Sequence, residues 1–381
     1  MTTYLDHAAT TPLRPEAAAA MLEWLTDRFG NPSGSHAVSR AARTAIDEAR
    51  DKTAAALGVT PGGVIFTGGG TESDNLALLG VLAQRPGAVV CSAVEHHAVL
   101  HSAQWAAGHG TATEHRIVPV GADGAIDLDR LAKALDPSVS VVSVMLVNNE
   151  VGTIQPLPRI RSLMRRLAPQ AVLHTDAVQA FPWLDVAQEA RAADLISISA
   201  HKLGGPQGTG VLAVRGNVQL EPVIHGGGQE RQRRSGTHNV AGIVGMAAAI
   251  EATVATREDT SARVRGLRDR LADTLLATTP GTTETGARAA KVAGNCHLRF
   301  SGIESEALLV LLDDAGICAS AGSACASGAM EPSHVLVAMG IAPADALGSV
   351  RLSLGHTTTA ADVDLALKVI PDAVARLREA G

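Results

Sequence analysis

The sequence predicts an α/β protein with a seven-stranded, mostly parallel sheet in a large domain and a smaller α+β domain at the C-terminal end. Short β-branched runs alternate with helical segments from about residue 60 to 215, as in sheets that helices cover on both faces. A long helical segment from Val240 to about Ala277 then interrupts this alternation. After it, strand-like and helix-like segments are mixed, which favours an α+β arrangement.

Apolar runs rich in β-branched residues define the candidate strands. Those of the large sheet are Val64–Thr67, Ala88–Ser92, His115–Val120, Val139–Val147, Ala171–Thr175, Leu195–Ser199 and Gly210–Val214. Those of the C-terminal part are Cys296–Phe300, Ile317–Ser320 and Val350–Leu354. Amphipathic periodicity predicts the other helices, which are Ala17–Arg28, Arg40–Leu57, Asp127–Leu135, Leu157–Leu167, Ser305–Ala315, Ser333–Met339 and Ala360–Arg378.

The domain division follows from length and from the long helix. A chain of 381 residues is too long for one small core, so a large and a smaller domain are expected. We assign residues 13–255 to the large domain, and residues 1–12 and 256–381 to the small one.

Composition argues against several classes of protein. The net charge is −6, from 32 basic and 38 acidic residues spread along the chain, which disfavours a nucleic acid or an anionic membrane as the main partner. Aromatic residues make up only 2%, so platforms for stacking bases are scarce. The N-terminus lacks the basic and apolar segments of a signal peptide, and no uninterrupted apolar stretch approaches a membrane span. A cytoplasmic small-molecule enzyme is therefore expected.

The four cysteines do not form a disulfide framework or a C-x-x-C metal pair. Cys91, Cys296 and Cys318 lie in apolar, strand-like surroundings, where an inert thiol is expected. Cys325 lies in a stretch of small residues, 320–330, which we expect to be exposed and mobile. It is the candidate nucleophile.

Three glycines, Gly68 to Gly70, join a predicted strand to a helix that begins near Thr71. Free amides and the helix dipole favour an anion such as phosphate at such a point. Neither the dinucleotide fingerprint nor the nucleotide P-loop fits the spacing. Taken alone, an ordinary glycine turn is at least as good an interpretation.

Two charged residues follow neighbouring candidate strands. Asp176 comes just past one strand, where open α/β sheets bind ligands, although a helix-capping role is the better interpretation of this residue alone. Lys202 lies between the next strand and Gly204-Gly205-Pro206, and partial burial there would lower its amine pKa, as Schiff-base chemistry requires. Together with the phosphate cradle, these residues indicate a pyridoxal 5'-phosphate (PLP) site. Asp176 would pair with the pyridinium nitrogen of the cofactor, and Lys202 would bind its aldehyde.

With these motifs in place, the chain resembles the group I cysteine desulfurases that supply iron–sulfur cluster assembly, which are class V aminotransferase-like, fold-type I PLP-dependent transferases. The matching stretches run from residues 4–12 and 30–33 to residues 350–355 and cover nearly the whole chain. The chain departs from many relatives at Gly68–Gly70, where they often have Ser-Gly-Ala or Ser-Cys-Ala, and His7 is a variable position.

The resemblance implies a set of site residues and a homodimer. The implied cofactor-binding residues are Gly70, Thr71, His96, Asp176, Gln179, Ser199, His201, Lys202 and Thr237. Of these, His96 would stack on the ring and assist proton transfer, and Thr237 would reach the phosphate of the other subunit. Asn148 and Arg351 would hold the substrate carboxylate. Without the resemblance, Arg351 could be a structural ion pair and the Thr237 segment a solvated basic loop.

No metal is expected. His97 and His101, at helical spacing, could form a metal pair, but the zincin glutamate pattern is absent and no third ligand is evident.

The implied reaction converts L-cysteine to L-alanine. Lys202 removes the α-proton, Asp176 keeps the ring nitrogen protonated, and the Cys325 thiolate takes the substrate sulfur as a persulfide. An aminotransferase or selenocysteine lyase is the nearest alternative, and a non-catalytic scaffold is disfavoured by Lys202, Asp176 and Cys325 together. The sequence does not identify the sulfur acceptor, which could be an iron–sulfur scaffold, a thiolation enzyme, a cofactor pathway or a DNA-modification system. It also does not show whether the enzyme needs an accessory activator.

Overall fold

The computed structural model describes residues 2–321 and 332–380, and within these ranges the chain forms twelve strands and twelve α-helices. The strands are β1 (Thr3–Tyr4), β2 (Val64–Thr67), β3 (Ala88–Ser92), β4 (Glu114–Val118), β5 (Val139–Ser143), β6 (Val172–Asp176), β7 (Leu195–Ser199), β8 (Gly210–Val214), β9 (Thr282–Glu284), β10 (Asn295–Phe300), β11 (Ile317–Cys318) and β12 (Ser349–Ser353). The helices are α1 (Pro15–Leu25), α2 (Ala37–Leu57), α3 (Gly70–Gln84), α4 (His97–Gly108), α5 (Leu128–Ala134), α6 (Leu157–Leu167), α7 (Val186–Glu189), α8 (Val240–Thr278), α9 (Ser305–Asp314), α10 (His334–Ala338), α11 (Pro343–Ala346) and α12 (Ala360–Ala380).

The large sheet contains all seven candidate strands in the order β2-β8-β7-β6-β5-β3-β4. Only β8 runs against its neighbours, and the other pairs are parallel. Every residue of β2, β3, β5, β7 and β8 is buried, which explains their continuous apolar runs. The predicted α/β class and seven-stranded sheet are confirmed.

Helices cover both faces of this sheet. One apolar core contains Ile46 of α2, Ile160 of α6 and Ile250 of α8. The core on the opposite face contains Leu76 of α3 and Val99 of α4. The strand ends are thereby left as the open edge of the sheet, where a ligand can bind.

The strand β5 ends at Ser143, four residues earlier than its apolar run predicts. The chain nevertheless stays beside β6, since the Leu146 amide donates to the Asp176 carbonyl at 2.8 Å. This pairing carries the loop after β5 to the end of β6.

The C-terminal part has its own core. An antiparallel sheet of order β12-β10-β9 and the parallel pair β1-β11 build it together with helices, and Leu5 packs with residues such as Leu298 and Leu352. The boundaries at residues 12/13 and 255/256 stay a prediction.

The helix α8 has 39 residues and contributes to both cores. One 18-residue window of it is apolar enough to cross a membrane by length and composition, yet half of that window is buried inside the protein. The helix packs against α1 and α2, as a core helix does.

Candidate active site

Three parallel strands end at one edge of the large sheet and deliver the predicted site residues there. Asp176 is the last residue of β6, and Lys202 ends the single helical turn that follows β7. Gly70 begins α3 three residues after the end of β2. Since carboxyl ends of parallel strands share one edge, these groups converge although the chain separates them by up to about 130 residues.

Asp176 is almost completely buried, with 6% of its surface exposed. Its Oδ1 accepts a hydrogen bond from the Val178 amide at 2.8 Å. Burial raises the carboxyl pKa to about 6, while the Val178 amide and the charge of Lys202 act in the opposite direction. The group is therefore mainly anionic at neutral pH, which suits a partner for a protonated ring nitrogen.

Two further buried carboxyl groups act on Asp176. Burial raises the pKa of both Asp74 and Glu95 well above the usual range, and each interacts electrostatically with Asp176. One oxygen of each, Asp74 Oδ1 and Glu95 Oε2, is buried without a hydrogen-bond partner. Burial therefore favours the neutral form of both groups.

The Lys202 amine lies on the same side of the cavity as the N-terminal segment. Its Nζ donates to the carbonyl oxygens of Ala8 at 2.6 Å and Ala9 at 2.7 Å. Burial, and next the positive charge of Arg351, lower its pKa to about 8. A useful fraction of the amine is therefore neutral near physiological pH, as a nucleophilic lysine requires.

The start of α3 is built from residues with little or no side chain. Gly69 precedes the helix with φ +152° and provides no capping side chain. A Cβ on Gly70 would lie 3.0 Å from Val178 Cγ2, so even an alanine here would require the Val178 side chain to shift slightly. The amides at the start of a fifteen-residue helix can therefore reach an anion.

One open cavity joins these groups. It encloses about 1140 Å³ of empty space, including open solvent at its mouth. Its lining contains nine of the predicted site residues, namely Gly70, Thr71, His96, Asp176, Gln179, Ser199, His201, Lys202 and Arg351. A carboxylate, an amine and an uncapped helix start in one cavity fit the ring nitrogen, aldehyde and phosphate of PLP.

His96 lines this cavity and caps α4. Its Nδ1 accepts from the Ala98 amide at 3.1 Å, which assigns the ring proton to Nε2. Burial, then the charge of Lys202 and nearby imidazoles, lower its pKa to about 4. The ring is thus neutral at physiological pH, which is compatible with stacking on a cofactor.

His97 lies close to two other imidazoles. Its ring is stacked on that of His101 at 4.8 Å and lies 4.6 Å from that of His334, between centroids. Within residues 2–321 and 332–380, no group of three potential ligands is arranged to hold a metal ion.

Arg351 is fixed at the edge of the cavity by two partners. Its Nη2 donates to Asp6 Oδ1 at 2.8 Å, and its Nη1 donates to the Asn149 carbonyl at 3.0 Å. Its Nε is buried without a partner. The ion pair that sequence reasoning offered as an alternative is therefore present, and these two hydrogen bonds use two of the five N–H groups of the guanidinium.

Three predicted residues are not placed in this cavity. Asn148 is buried and lines the adjacent cavity that Lys202 also borders, with its Nδ2 donating to Val94 and its Oδ1 accepting from two backbone amides. Thr237 is exposed and does not line the cavity of its own chain. Cys325 lies outside the described residues. The roles of all three stay predictions.

Sequence reasoning gave no role to the segment that closes the cavity on the N-terminal side. Asp6 holds Arg351, and the Ala8 carbonyl accepts from both Lys202 and Gln179. The available signal was an acid after a leucine, Leu5-Asp6, with the two small residues Ala8 and Ala9 one position further on. Such a segment can approach a site closely without filling it.

Comparisons with known proteins agree with this geometry. Residues 3–366 match the family model described as aminotransferase class-V. The chain is 47% identical to an IscS-like cysteine desulfurase of Mycobacterium tuberculosis, with 99% of this chain and 97% of that protein covered. It is 43% identical to a cysteine desulfurase IscS of Methanosarcina thermophila, over 98% of this chain and 92% of the relative. A solved NifS-like protein superposes with a TM-score of 0.92 at 33% identity, covering 99% of this chain and 100% of the other.

Proposed function

We propose that this chain, which belongs to the class-V aminotransferase family, is a cysteine desulfurase. It would use PLP to convert L-cysteine to L-alanine. The observation that carries this proposal is the cavity in which Lys202, Asp176 and Arg351 converge. Relatives named cysteine desulfurase that match over nearly the whole chain support the same reaction.

Substrate binding begins with the α-carboxylate of cysteine. Arg351 offers the N–H groups of its terminal nitrogens that Asp6 and the Asn149 carbonyl leave unused. A guanidinium fixed in this way binds a planar carboxylate with a defined orientation. The rest of the substrate then lies toward Lys202 in the same cavity.

The residues predicted to hold PLP have distinct tasks. Gly70, Thr71, Ser199 and His201 would bind its phosphate, Gln179 would donate to its phenolic oxygen, and Asp176 would keep its ring nitrogen protonated. His96 would stack on the ring as a neutral imidazole. When bound, the cofactor supplies the electron-withdrawing ring that makes the substrate α-proton acidic.

Lys202 carries the protons of the reaction. Its neutral amine removes the α-proton of the substrate, and the ammonium so formed later returns a proton. The lowered pKa allows both steps near neutral pH, because neither the amine nor the ammonium is strongly favoured there.

Sulfur transfer is assigned to Cys325. Its thiolate attacks the substrate sulfur, a sulfur–sulfur bond forms, and the substrate carbon–sulfur bond breaks. The electron pair of that bond stays with the β-carbon, which takes a proton and becomes the methyl group of alanine. The enzyme retains a persulfide on Cys325, which a second thiolate can accept.

We assign the persulfide to a protein acceptor in the cytoplasm, either an iron–sulfur scaffold or a thiolation enzyme. The active unit is a homodimer in which Thr237 of each subunit serves the phosphate of the other. The exposure of Thr237 outside the cavity of its own chain supports this arrangement.

The test is product analysis with purified, PLP-loaded protein and L-cysteine. Equimolar alanine and sulfide in the presence of a thiol reductant are expected. Pyruvate formation that needs an amino acceptor would instead indicate an aminotransferase, and turnover of selenocysteine but not cysteine would indicate a lyase for that substrate.

A further inference from the structure

A loop of residues 226–238, called here the arginine loop, contains an unusual backbone conformation. Glu230, Arg231 and Gln232 have φ values of 47°, 58° and 66°. Side chains with a Cβ disfavour this left-handed region, and three consecutive examples are sterically unfavourable. Such a conformation persists only if surrounding contacts hold it.

The contacts centre on the Glu230 carboxylate, which is buried. Arg50 donates to it through two nitrogens, Nη1 at 2.8 Å and Nη2 at 2.7 Å. The Phe66 amide donates at 3.0 Å, and His238 Nε2 lies 2.7 Å from Oε1. These partners outweigh burial and lower the carboxyl pKa to about 2. Glu230 is therefore ionised under all ordinary conditions.

Arg50 is itself anchored to the large sheet. Its Nη1 also donates to the Val64 carbonyl at 2.8 Å, and its guanidinium carbon lies 4.6 Å from the centroid of the Phe66 ring. Val64 and Phe66 belong to β2, the strand that leads into the phosphate cradle. Through Arg50, the strained turn is thus attached to the sheet edge that carries the cofactor site.

The rest of the loop is held at two more points. Arg234 donates to both oxygens of Glu72, at 2.7 and 3.2 Å, and the Gly236 amide donates to Gln229 Oε1 at 2.8 Å. Thr237 lies between Gly236 and His238, the residue that bonds to Glu230. Its neighbours on both sides are fixed, while Thr237 itself remains exposed.

We propose that Glu230 is a positioning residue, whose carboxylate holds the arginine loop in its left-handed turn so that Thr237 is presented to the phosphate site of a second copy of this chain. The inference rests on the proposed sharing of Thr237 between subunits. Glu230 would thus affect cofactor retention in the partner's site without touching the cofactor.

The first experiment compares Glu230→Gln with the wild type for PLP affinity, measured by equilibrium dialysis of folded protein. At least a tenfold weaker affinity is expected, with the dimer retained by light scattering. Glu251→Gln is the matched control, because Glu251 pairs with Lys52 on the surface. Unchanged affinity in Glu230→Gln would overturn the proposal.

A milder pair of variants covers the case in which Glu230→Gln fails to fold. His238→Ala removes one partner of Glu230 and leaves the Arg50 pair intact, whereas His238→Gln restores an N–H donor at this position. Weaker PLP binding in the first variant and recovery in the second are expected. Equal, wild-type affinity in both would contradict the proposal.

The direction of the effect is tested with a mixed dimer of one Glu230→Gln subunit and one Lys202→Ala subunit, purified through two tags. The cofactor site on the Glu230→Gln subunit then faces the intact loop of its partner. Borohydride should fix PLP on that subunit with near wild-type affinity, unlike in the Glu230→Gln homodimer. Weak labelling in both dimers would place the effect within one subunit and overturn the proposal. A monomeric wild-type protein that binds PLP tightly would instead refute the shared site.

Discussion

Arg351 Nη2 and Asp6 Oδ1 lie 2.8 Å apart and join strand β12 to the N-terminal segment at the edge of the cofactor cavity. The pair spans 345 residues of sequence. Together with the Asn149 carbonyl, Asp6 fixes the Arg351 guanidinium and uses only two of its five N–H groups. The predicted substrate-binding residue therefore depends on an acid that the sequence alone did not single out.

Asp6→Ala should weaken cysteine binding more than it slows the chemical steps. Loss of a hydrogen bond to a charged group amounts to about 1.5–3 kcal/mol, so KM is expected to rise about tenfold or more. Steady-state kinetics with L-cysteine test this, with Asp362→Ala as a control acid outside the cavity. A normal KM with a lower kcat would show that Asp6 does not act through Arg351.

Lys202→Ala should lose covalently bound PLP and turnover together, because no other amine is available at this position. Borohydride reduction followed by peptide mass spectrometry identifies the attachment site. Lys52→Ala, at an exposed surface position, is the control. A reduced PLP–lysine adduct that survives in Lys202→Ala would show that another lysine was the right one.

Asp176→Asn should keep the fold and lose most of the rate, on the order of a hundredfold or more. Asparagine can still accept from the Val178 amide, but an uncharged group no longer holds a proton on the ring nitrogen. Asp185→Asn is a close control, since Asp185 also accepts from an amide two residues along, on the surface. Near wild-type turnover of Asp176→Asn would remove Asp176 from the mechanism.

Covalent loading of PLP should depend on pH through Lys202. Only the neutral amine is nucleophilic, and its pKa is lowered to about 8, so the loading rate should rise about tenfold per unit below pH 8 and level off above it. Stopped-flow absorbance with apoenzyme measures the profile. Because Arg351 helps to lower this pKa, Arg351→Gln should move the midpoint upward. An unmoved midpoint would contradict this electrostatic coupling.

Cys325→Ala should still bind PLP and cysteine but form no persulfide and release no alanine at a useful rate. The three described cysteines are poor competitors, since burial raises the pKa of the Cys91 and Cys296 thiols, the latter to about 12, and also that of Cys318. Alanine substitution of each of these should leave persulfide labelling intact. A label that maps to any of them would contradict the assignment of Cys325.

Most strands and longer helices could be predicted from sequence, because the buried strands carry continuous apolar runs and the helices carry a helical apolar period, although α4 was not predicted as a helix. Leu157–Leu167 and Leu195–Ser199 were predicted to the residue. The short strands β1 and β9 were missed, since two or three residues are too few to show alternation. The early end of β5 was missed because its apolar run continues into a buried loop that still bonds to β6.

Candidate site residues could be predicted from sequence where a charged side chain lies in a position that charged residues rarely occupy. Contacts made by backbone groups could not be predicted in this way. Lys202 and Asp176 stand out as charged residues at strand ends, and both line the cavity. The carbonyls of Ala8 and Ala9 carry no sequence signal, although both accept from Lys202. The buried pair of Arg50 and Glu230 links positions 180 residues apart, and no local pattern connects them.

The continuous helix α8 connects the two apolar cores. At about 1.5 Å per residue its 39 residues make a rod close to 58 Å long, with Ile250 embedded in one core and Leu271 in the other. A movement of one core relative to the other would bend α8 and disturb the packing in both cores. We therefore expect the separation between Arg351 and Lys202 to change little, so that a bound amino acid would be placed by the distance from its carboxylate to its α-carbon.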